Sequence, residues 1–233
     1  MAKEIVCISS SIYRQLESWG VPEEKLTRIP DAIPAPSQAP EVQELRALLC
    51  IPGKRRVVGC IGALTAEKDH ATLLRAARQL AAKTADVHFV VIGDGNLKAE
   101  LLSLRSELGL DQTVHFSGFI PEAEKFMCAF DVFVLCSKSE GLGSIILDAF
   151  ASGVPVVATA VGGIPELVSD DNTGLLVPAG DPAKLASAIE QLLSNPARAK
   201  RLTESGRALV EQGFTVKKMA ERYISVYEKV CAL

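Results

Sequence analysis

The segment from Ser137 to Glu166 combines glycines and carboxylates in a spacing that suits a phosphorylated ligand. Gly141 and Gly143 come directly before a predicted helix over residues 144–152, and glycine lets the backbone approach a ligand closely. The unpaired amides at the start of a helix form its positive end, which is a ready site for a diphosphate. The sequence therefore predicts an anion-binding turn made by Leu142, Gly143 and Ser144.

Two carboxylates flank this turn. Glu140 precedes the predicted helix and Asp148 lies near its second turn, eight positions later. Helical side chains lean toward the N-terminus, so both carboxylates could border the same mouth. The alternative is that each is simply a favourable charge near a helix N-terminus, with no ligand. The residues by themselves do not separate these two interpretations.

A second loop places a cation where a helix begins. The run Gly62-Ala63-Leu64-Thr65-Ala66-Glu67-Lys68-Asp69 follows a predicted strand, and a helix pattern starts at His70. A cation at the positive end of a helix costs roughly 0.3 to 1 kcal/mol unless an anion compensates. Lys68 is therefore a candidate phosphate ligand, although a solvated lysine relieved by Glu67 or Asp69 is an equally physical interpretation.

Three further loops follow predicted strands. Phe119 and Ile120 lie in a loop that could recognise a flat base, or could simply lead into a helix. Gly162, Gly163 and Glu166 lie in a loop that combines glycine freedom with a proline-led helix start, and would line the same crevice. The third, Gly93-Asp-Gly-Asn-Leu-Lys98, begins like a GxGxxG fingerprint but has lysine in place of the last glycine, which indicates a tight turn.

The elements that must position these loops alternate between short β-rich runs and helical patterns. This alternation predicts an α/β fold, a Rossmann-like doubly wound parallel sheet with helices on both faces, followed by a helical C-terminal tail. Ligands bind such sheets at the carboxyl ends of the strands. The predicted strands cover residues 57–61, 87–92, 114–116, 132–135, 154–157 and 174–177; the predicted helices cover 70–82, 97–108, 122–129, 144–152, 181–193, 197–212 and 216–231.

The first residues form a separate predicted unit. A strand over residues 5–8, a helix over 11–19 and a strand over 26–29 precede a proline-rich linker, residues 31–40. Linkers of that composition often join domains. The predicted organisation is a first unit of residues 1–35, which takes in the first part of the linker, and a main domain of residues 36–233.

Composition excludes several classes of protein. Of the 233 residues 48% are hydrophobic and 23% charged, with a net charge of −3, which argues against disorder, a nucleic-acid partner or an electrostatic membrane anchor. No apolar run reaches the length of a transmembrane segment, and the chain is expected to be cytoplasmic. The six cysteines show no CxxC pair and are expected to be buried, reduced thiols. The sequence has no Asp-x-Asp motif and no His/Cys cluster, so no metal site and no cofactor are predicted.

Together these loops resemble the C-terminal donor-binding domain of retaining, nucleotide-sugar-dependent glycosyltransferases of the GT-B fold, family 4. The resemblance covers nearly the whole chain and is carried by four motifs in order. These are Glu140-Gly-Leu-Gly143, Asp148-Ala-Phe-Ala-Ser-Gly-Val-Pro-Val-Val157, Gly162-Gly-Ile-Pro-Glu166 and Asn172-Thr-Gly-Leu-Leu-Val177. Residues 5–11 resemble the last strand and helix of the family's acceptor-binding domain, and residues 26–33 its domain junction. Most of that first domain is therefore expected to be absent.

The resemblance implies a nucleoside diphosphate sugar as the ligand. It places the base near Phe119 and Ile120, the ribose on Asp148, the diphosphate at the Gly143 turn with Lys68, and the sugar beside Glu140 and the Gly162 loop. Glu140 and Lys68 are the expected catalytic residues. The expected donor-binding residues are Gly62, Phe119, Ile120, Ser137, Gly141, Leu142, Gly143, Ser144, Asp148, Gly162, Gly163 and Glu166.

Two positions depart from the family pattern. The family's arginine in the first loop falls on Ala63, and its second acidic residue, usually Glu, is Asp148. Loss of a preorganised cation of that kind costs about 3 kcal/mol of transition-state stabilisation. Lys138 is the expected substitute, since Arg55 and Arg56 precede the strand. A noncatalytic nucleotide-binding module, or a subunit completed by a separate acceptor-domain chain, is thus the alternative function; a GT-B epimerase or phosphorylase fits the Gly162 loop less well.

Overall fold

A parallel sheet forms the centre of the molecule in the computed structural model, which describes residues 2–34, 42–49, 51, 55–83 and 86–232. Within those residues six strands pair in the order β5-β4-β3-β6-β7-β8, and every pairing is parallel. This is the strand order of a doubly wound nucleotide-binding fold, with its switch point between β3 and β6. The strands are β3 (Arg56–Ile61), β4 (Val87–Ile92), β5 (Val114–Gly118), β6 (Val132–Leu135), β7 (Val156–Thr159) and β8 (Leu175–Val177).

Helices cover both faces of this sheet, as predicted. One face packs on α3, α4 and α6 and the other on α5 and on Leu49 and Ile51, which follow α2, because successive strand residues such as Val57 and Val58 point to opposite sides. The helix α7 contributes Leu202 to one core and Val210 to the other. The bounds are α2 (Val42–Leu48), α3 (His70–Ala81), α4 (Lys98–Glu107), α5 (Ile145–Ala151), α6 (Pro182–Ser194), α7 (Pro196–Gly213) and α8 (Val216–Cys231).

Several predicted bounds were wrong. The strand predicted over 154–157 is Val156–Thr159, because Pro155 has no N–H to contribute to a central strand. The helix predicted over 122–129 is a 3-10 helix, Ala123–Ala129, entered through Glu122 in the left-handed region at φ 53°. The helix α2 was not predicted, and most of the predicted linker, residues 35–40, lies outside the described residues.

The cysteine prediction was only partly right. Cys7, Cys60 and Cys136 are buried, whereas Cys128 is half-buried and Cys231 is exposed near the end of α8. All five of these thiols, the ones that the structure describes, are free. Burial raises the pKa of the Cys7 and Cys128 thiols above the ordinary value, which keeps them protonated.

The N-terminal unit is a separate two-stranded parallel sheet. It consists of β1 (Ile5–Cys7), α1 (Ser10–Ser18) and β2 (Leu26–Arg28). The last helix returns to it, since Lys229 of α8 pairs with Glu4 at 2.8 Å. The Ile33 N–H also donates to the carbonyl oxygen of Phe214, which follows α7, at 3.1 Å. The two ends of the chain therefore meet.

Glu166 attaches α1 to the main sheet. Its Oε1 accepts from the backbone N–H of Ser10 at 2.7 Å and of Ser11 at 3.3 Å, and its Oε2 accepts from the Ser10 hydroxyl and from Arg28 at 2.6 Å. Ser9 is the N-cap of the same first turn, because its Oγ accepts from the Ile12 N–H. The first amides of α1 are thus satisfied by a carboxylate from a distant loop, which is favourable at a helix N-terminus.

We expect Glu166→Ala to loosen α1 specifically. The change leaves two helix amides and the Arg28 guanidinium without their acceptor, a loss of about 1–2 kcal/mol. Amide hydrogen exchange in α1 should therefore become roughly 5 to 30 times faster, while exchange in β3 and β6 stays unchanged. Glu211→Ala removes a carboxylate that is exposed on α7, and serves as the matched control. Equal exchange in both variants would contradict this role of Glu166.

Candidate active site

Two loops leave the sheet at the switch point and define a crevice. They follow β3 and β6, which are adjacent strands paired through Val58 with Val132 and Gly59 with Phe133. The chain then crosses to β4 on one side and to β7 on the other. The carboxyl ends of such a strand pair are where ligands bind in open α/β sheets.

An ion pair between these loops forms the centre of the crevice. Lys68 Nζ contacts Glu140 Oε1, and the Ser137 hydroxyl donates to the same oxygen at 2.7 Å. The Glu140 side chain is 10% exposed and that of Lys68 27%, so both are largely shielded from water. The other oxygen, Oε2, accepts no hydrogen bond from any residue that the structure describes. Glu140 is thus oriented on one side and available on the other.

Buried groups hold the Lys68 loop in place. Cys136 Sγ donates to the carbonyl oxygens of Lys68 at 3.3 Å and Asp69 at 3.4 Å. Asp69 adopts the left-handed conformation at φ 46°, and its carboxylate accepts from Thr72 Oγ1 and pairs with Lys138 at 3.1 Å. Lys138, expected to replace the cation missing at Ala63, therefore already has a partner, and it supports the loop.

Glycines allow the two loops that border Glu140 to touch through their backbones. A Cβ at Gly162 would lie 1.8 Å from the Glu140 carbonyl oxygen, and one at Gly163 would lie 2.3 Å from the Gly141 carbonyl oxygen. Gly162 also has φ 54°, a region that favours glycine. These glycines are required for packing, whatever ligand the loop contacts.

Glycines also allow close backbone contact on the other side of the crevice, beside the Lys68 loop. A Cβ at Gly93 would lie 2.0 Å from the Gly62 carbonyl oxygen, and one at Gly95 would lie 2.5 Å from that of Leu64. The Leu64 amide donates to the Asp94 carbonyl oxygen at 3.0 Å. The incomplete GxGxxG run therefore buttresses the Lys68 loop, in agreement with its interpretation as a tight turn.

The first cavity, of about 420 Å³, opens between the two loops. It is lined by Ile8 from β1's C-terminal side and by ten residues of the main domain: Ile61, Gly62, Ala63, Lys68, Glu140, Gly141, Leu142, Gly143, Ser144 and Ile145. Seven of the predicted site residues are among them. The lining contains the cation Lys68. It contains no second cation at residue 63, since Ala63 occupies the position at which the family pattern has arginine.

The second cavity, of about 510 Å³, lies on the other side of Glu140. It shares Glu140 and Gly141 with the first cavity and adds Gly162 and Ser139 from the main domain. Its opposite wall is α1, through Ser11, Ile12, Arg14 and Gln15. The sequence did not single out these α1 residues, since nothing in their local pattern shows that the helix lies against a loop about 150 residues away.

The other predicted site residues lie outside both cavities. Ser137 is fully buried behind Glu140, where Thr159 Oγ1 donates to its carbonyl oxygen at 2.6 Å. Phe119 is 74% exposed, Ile120 packs against the core beneath α5, and Glu166 holds α1. A contact that the sequence did not suggest brings Asp31 to the start of α5, where it accepts from the Ser144 hydroxyl.

Asp148 is a partly buried carboxylate on α5. Burial raises the pKa of its carboxyl to about 6, with a smaller contribution from the nearby Glu124 carboxylate. A carboxylate held in such surroundings without a cationic partner is typical of a functional position. Asp148 lies three residues beyond Ile145, the last residue on α5 that lines the first cavity.

Similarity to known proteins supports the resemblance drawn from these loops. The family model described as "Glycosyl transferases group 1" matches residues 41–209. The chain belongs to this family. LpsE, a lipopolysaccharide core biosynthesis glycosyltransferase of Rhizobium meliloti (strain 1021), is 33% identical over 181 residues, which are 78% of this chain and 52% of LpsE. The chain thus spans about half the length of that relative.

Solved structures agree with the group 1 assignment. The C-terminal domain of LpcC, a group 1 protein from Francisella tularensis, is 30% identical, with a TM-score of 0.69 over 76% of this chain and 95% of that domain. Anabaena HepE, solved in complex with UDP-glucose, is 24% identical, with a TM-score of 0.91 over 100% of this chain and 65% of HepE. The second likeness extends through the N-terminal unit and confirms the GT-B fold.

The part of this group 1 chain that the structure describes contains neither a membrane-spanning helix nor a metal-binding group. Among its described residues, no helix has the length and apolar character needed to cross a bilayer. The same residues contain no cluster of His, Cys, Asp or Glu side chains suited to a metal ion.

We expect Asp148→Asn to stabilise this group 1 domain in a pH-dependent way. The folded pKa of about 6 exceeds the ordinary 3.8, so the contribution of Asp148 to stability is complete below about pH 4 and is lost as the pH rises through 6. The neutral amide avoids this loss. Because the carboxylate retains contact with water, the gain in unfolding free energy at pH 8 should be about 1–2 kcal/mol, and smaller at pH 5.

Urea denaturation of both proteins at the two pH values measures this difference. Asp170→Asn alters an exposed aspartate on the same domain and controls for a change in net charge. An equal gain at pH 8 and pH 5 would show that the ionisation of Asp148 does not cause it.

Proposed function

We propose that this chain binds a nucleoside diphosphate sugar and forms the donor-binding part of a retaining glycosyltransferase of family 4. The observation that carries the proposal is the Lys68–Glu140 pair, which lines a cavity at the switch point of a group 1 chain. A cation, a carboxylate and closely approaching backbone amides are the groups that a diphosphate and a sugar require.

In this proposal the diphosphate lies against Lys68 and the amides of the Gly143 turn. Lys68 then exchanges a carboxylate partner for phosphate, and Glu140 is released toward the sugar. The cation and amides stabilise the negative charge that develops on the departing diphosphate, an electrostatic contribution that acts most strongly in a shielded site. Ser137 keeps Glu140 oriented during this exchange, because its hydroxyl donates to the carboxylate from the buried side.

Asp148 would accept hydrogen bonds from the ribose, with the base between this residue and the loop that carries Phe119 and Ile120. The exposed ring of Phe119 is available for contact with a flat base. The destabilising burial of the Asp148 carboxylate supports the proposal, since a group that weakens the fold is retained where function needs it.

We further propose that residues 1–35 belong to an acceptor-binding part and residues 36–233 to the donor-binding domain. The separate β1–β2 sheet supports this division. The partner that completes the enzyme is an acceptor domain or a separate acceptor-binding chain. Trp19, which ends α1, is 70% exposed and Tyr227 of α8 is 64% exposed, so both apolar side chains are available to it. Free thiols at all described cysteines support a cytoplasmic location.

Nucleotide binding is the first measurement. Calorimetric titration with UDP, GDP and ADP should give saturable binding by at least one nucleotide at submillimolar concentration, since the cavity places a shielded cation beside the backbone of the Gly143 turn. Absence of binding by all three at millimolar concentration would refute a donor site.

Lys68 should recognise phosphate and not the nucleoside. We expect Lys68→Ala to weaken binding of the preferred nucleoside diphosphate by about tenfold or more, while binding of the matching nucleoside changes less than twofold. Lys68→Ala also leaves Glu140 uncompensated, so the double variant Lys68→Ala/Glu140→Gln measures the loss of the cation itself. Lys200→Ala, which removes an exposed lysine of α7, is the control. Equal losses for nucleotide and nucleoside would contradict the assignment.

The second candidate function is nucleotide binding without catalysis, and Ala63 favours it. The first cavity is lined by Lys68 and by no arginine among the described residues. Release of free sugar from the bound donor, assayed with and without an added acceptor-binding part, distinguishes a transferase from a binding module.

A further inference from the structure

The second cavity differs in chemistry from the first. Its lining contains neither Lys68 nor Gly62, so it lies beyond the groups proposed to hold the diphosphate. It shares Glu140 and Gly141 with the first cavity, which makes the two spaces contiguous at the carboxylate. A sugar bound beside Glu140 would therefore face the second cavity.

The wall opposite Glu140 is one face of α1. Ser11, Arg14 and Gln15 are spaced i, i+3 and i+4, which places them together on the surface of a helix. All three line the cavity. The backbone amides at the start of α1 are not available there, because Glu166 and Ser9 accept their hydrogen bonds. Recognition by this wall depends on its side chains.

The cation in the lining of the second cavity is Arg14. It forms no ion pair and no side-chain hydrogen bond with any residue that the structure describes. The carboxylate in the lining is Glu140, which Lys68 already neutralises from the first cavity. The second cavity consequently carries an excess positive charge beside hydroxyl and amide groups. A planar guanidinium binds a carboxylate or phosphate through two parallel hydrogen bonds, and Ser11, Gln15 and Ser139 can bond to hydroxyls.

We propose that the second cavity binds a sugar that carries a negatively charged group, with Arg14 as the specificity-determining residue. The charged group is a phosphate or carboxylate, on the acceptor or on the transferred sugar. This inference rests on the proposed transferase function, because that function brings a sugar to Glu140. It specifies that the substrate is negatively charged, and it assigns α1 of the N-terminal unit to substrate selection.

Sugar binding to the full chain tests the acceptor source. Glucose 6-phosphate, glucuronate and glucose are titrated with and without saturating UDP, and the ¹⁵N-edited amide signals of Ser11, Gln15 and Gly162 are followed by NMR. The charged sugars should shift these signals and bind at least about fivefold more tightly than glucose. Arg14→Ala should remove that preference and Arg14→Lys should retain part of it, while Arg75→Ala, an exposed arginine on α3, should leave it unchanged.

The donor source is tested by comparing UDP-glucuronate with UDP-glucose in calorimetry. Tighter binding of UDP-glucuronate that disappears in Arg14→Ala would place the charge on the transferred sugar. Equal binding of the two donors, with Arg14-dependent binding of free charged sugars, would place it on the acceptor. Absence of any Arg14-dependent preference in both measurements would overturn the proposal. UDP binding by the Arg14 variants is recorded separately, so a failure of the donor site is distinguished from a failure of this inference.

Discussion

Backbone contact between glycine loops is the constraint on which the whole site depends. Gly162 against Glu140, and Gly93 against Gly62, leave no room for a side chain. Each contact joins loops that follow neighbouring strands of the sheet, so the loops cannot move independently. The Ser137 hydroxyl and the backbone of Gly162 consequently fix the position of Glu140. Cys136 and Asp69 fix that of the Lys68 loop. Preorganisation of this kind lets a site act without reorganising its own dipoles.

The charges of Lys68 and Glu140 balance each other within the site. Lys68 and Glu140 are shielded from water, and either one alone would be costly at that degree of burial. As a pair they neutralise each other, and both line the first cavity. Asp148 has no such partner among the residues that the structure describes, and burial raises the pKa of its carboxyl. The domain thus tolerates one unfavourable carboxylate on the helix that begins at the proposed phosphate site.

Periodic features of the sequence were sufficient for the sheet, for most of its helices and for the loops at its carboxyl edge, because each depends on residues close together in the chain; α2 was missed. The contacts at the site that were missed share one cause. Contacts such as Glu166 with Ser10, Asp31 with Ser144, and Arg14 across from Gly162 join segments more than 100 residues apart, and no local pattern encodes them. The shift of β7 past Pro155 has a local explanation: a residue lacking an N–H cannot complete a central strand, however apolar its neighbours.

The N-terminal unit forms part of the site through these distant contacts. Glu166 was expected to touch the ligand, yet in the structure its carboxylate is fully engaged by α1 and Arg28. The loop that begins with Gly162 therefore serves two structures, since one end packs on Glu140 and the other holds the helix that carries Arg14. A change in the position of this loop must move the wall of the second cavity and the carboxylate of the first together. The proposed substrate recognition by the N-terminal unit and the proposed donor binding by the main sheet are thereby linked through one short segment of backbone, residues 162–166.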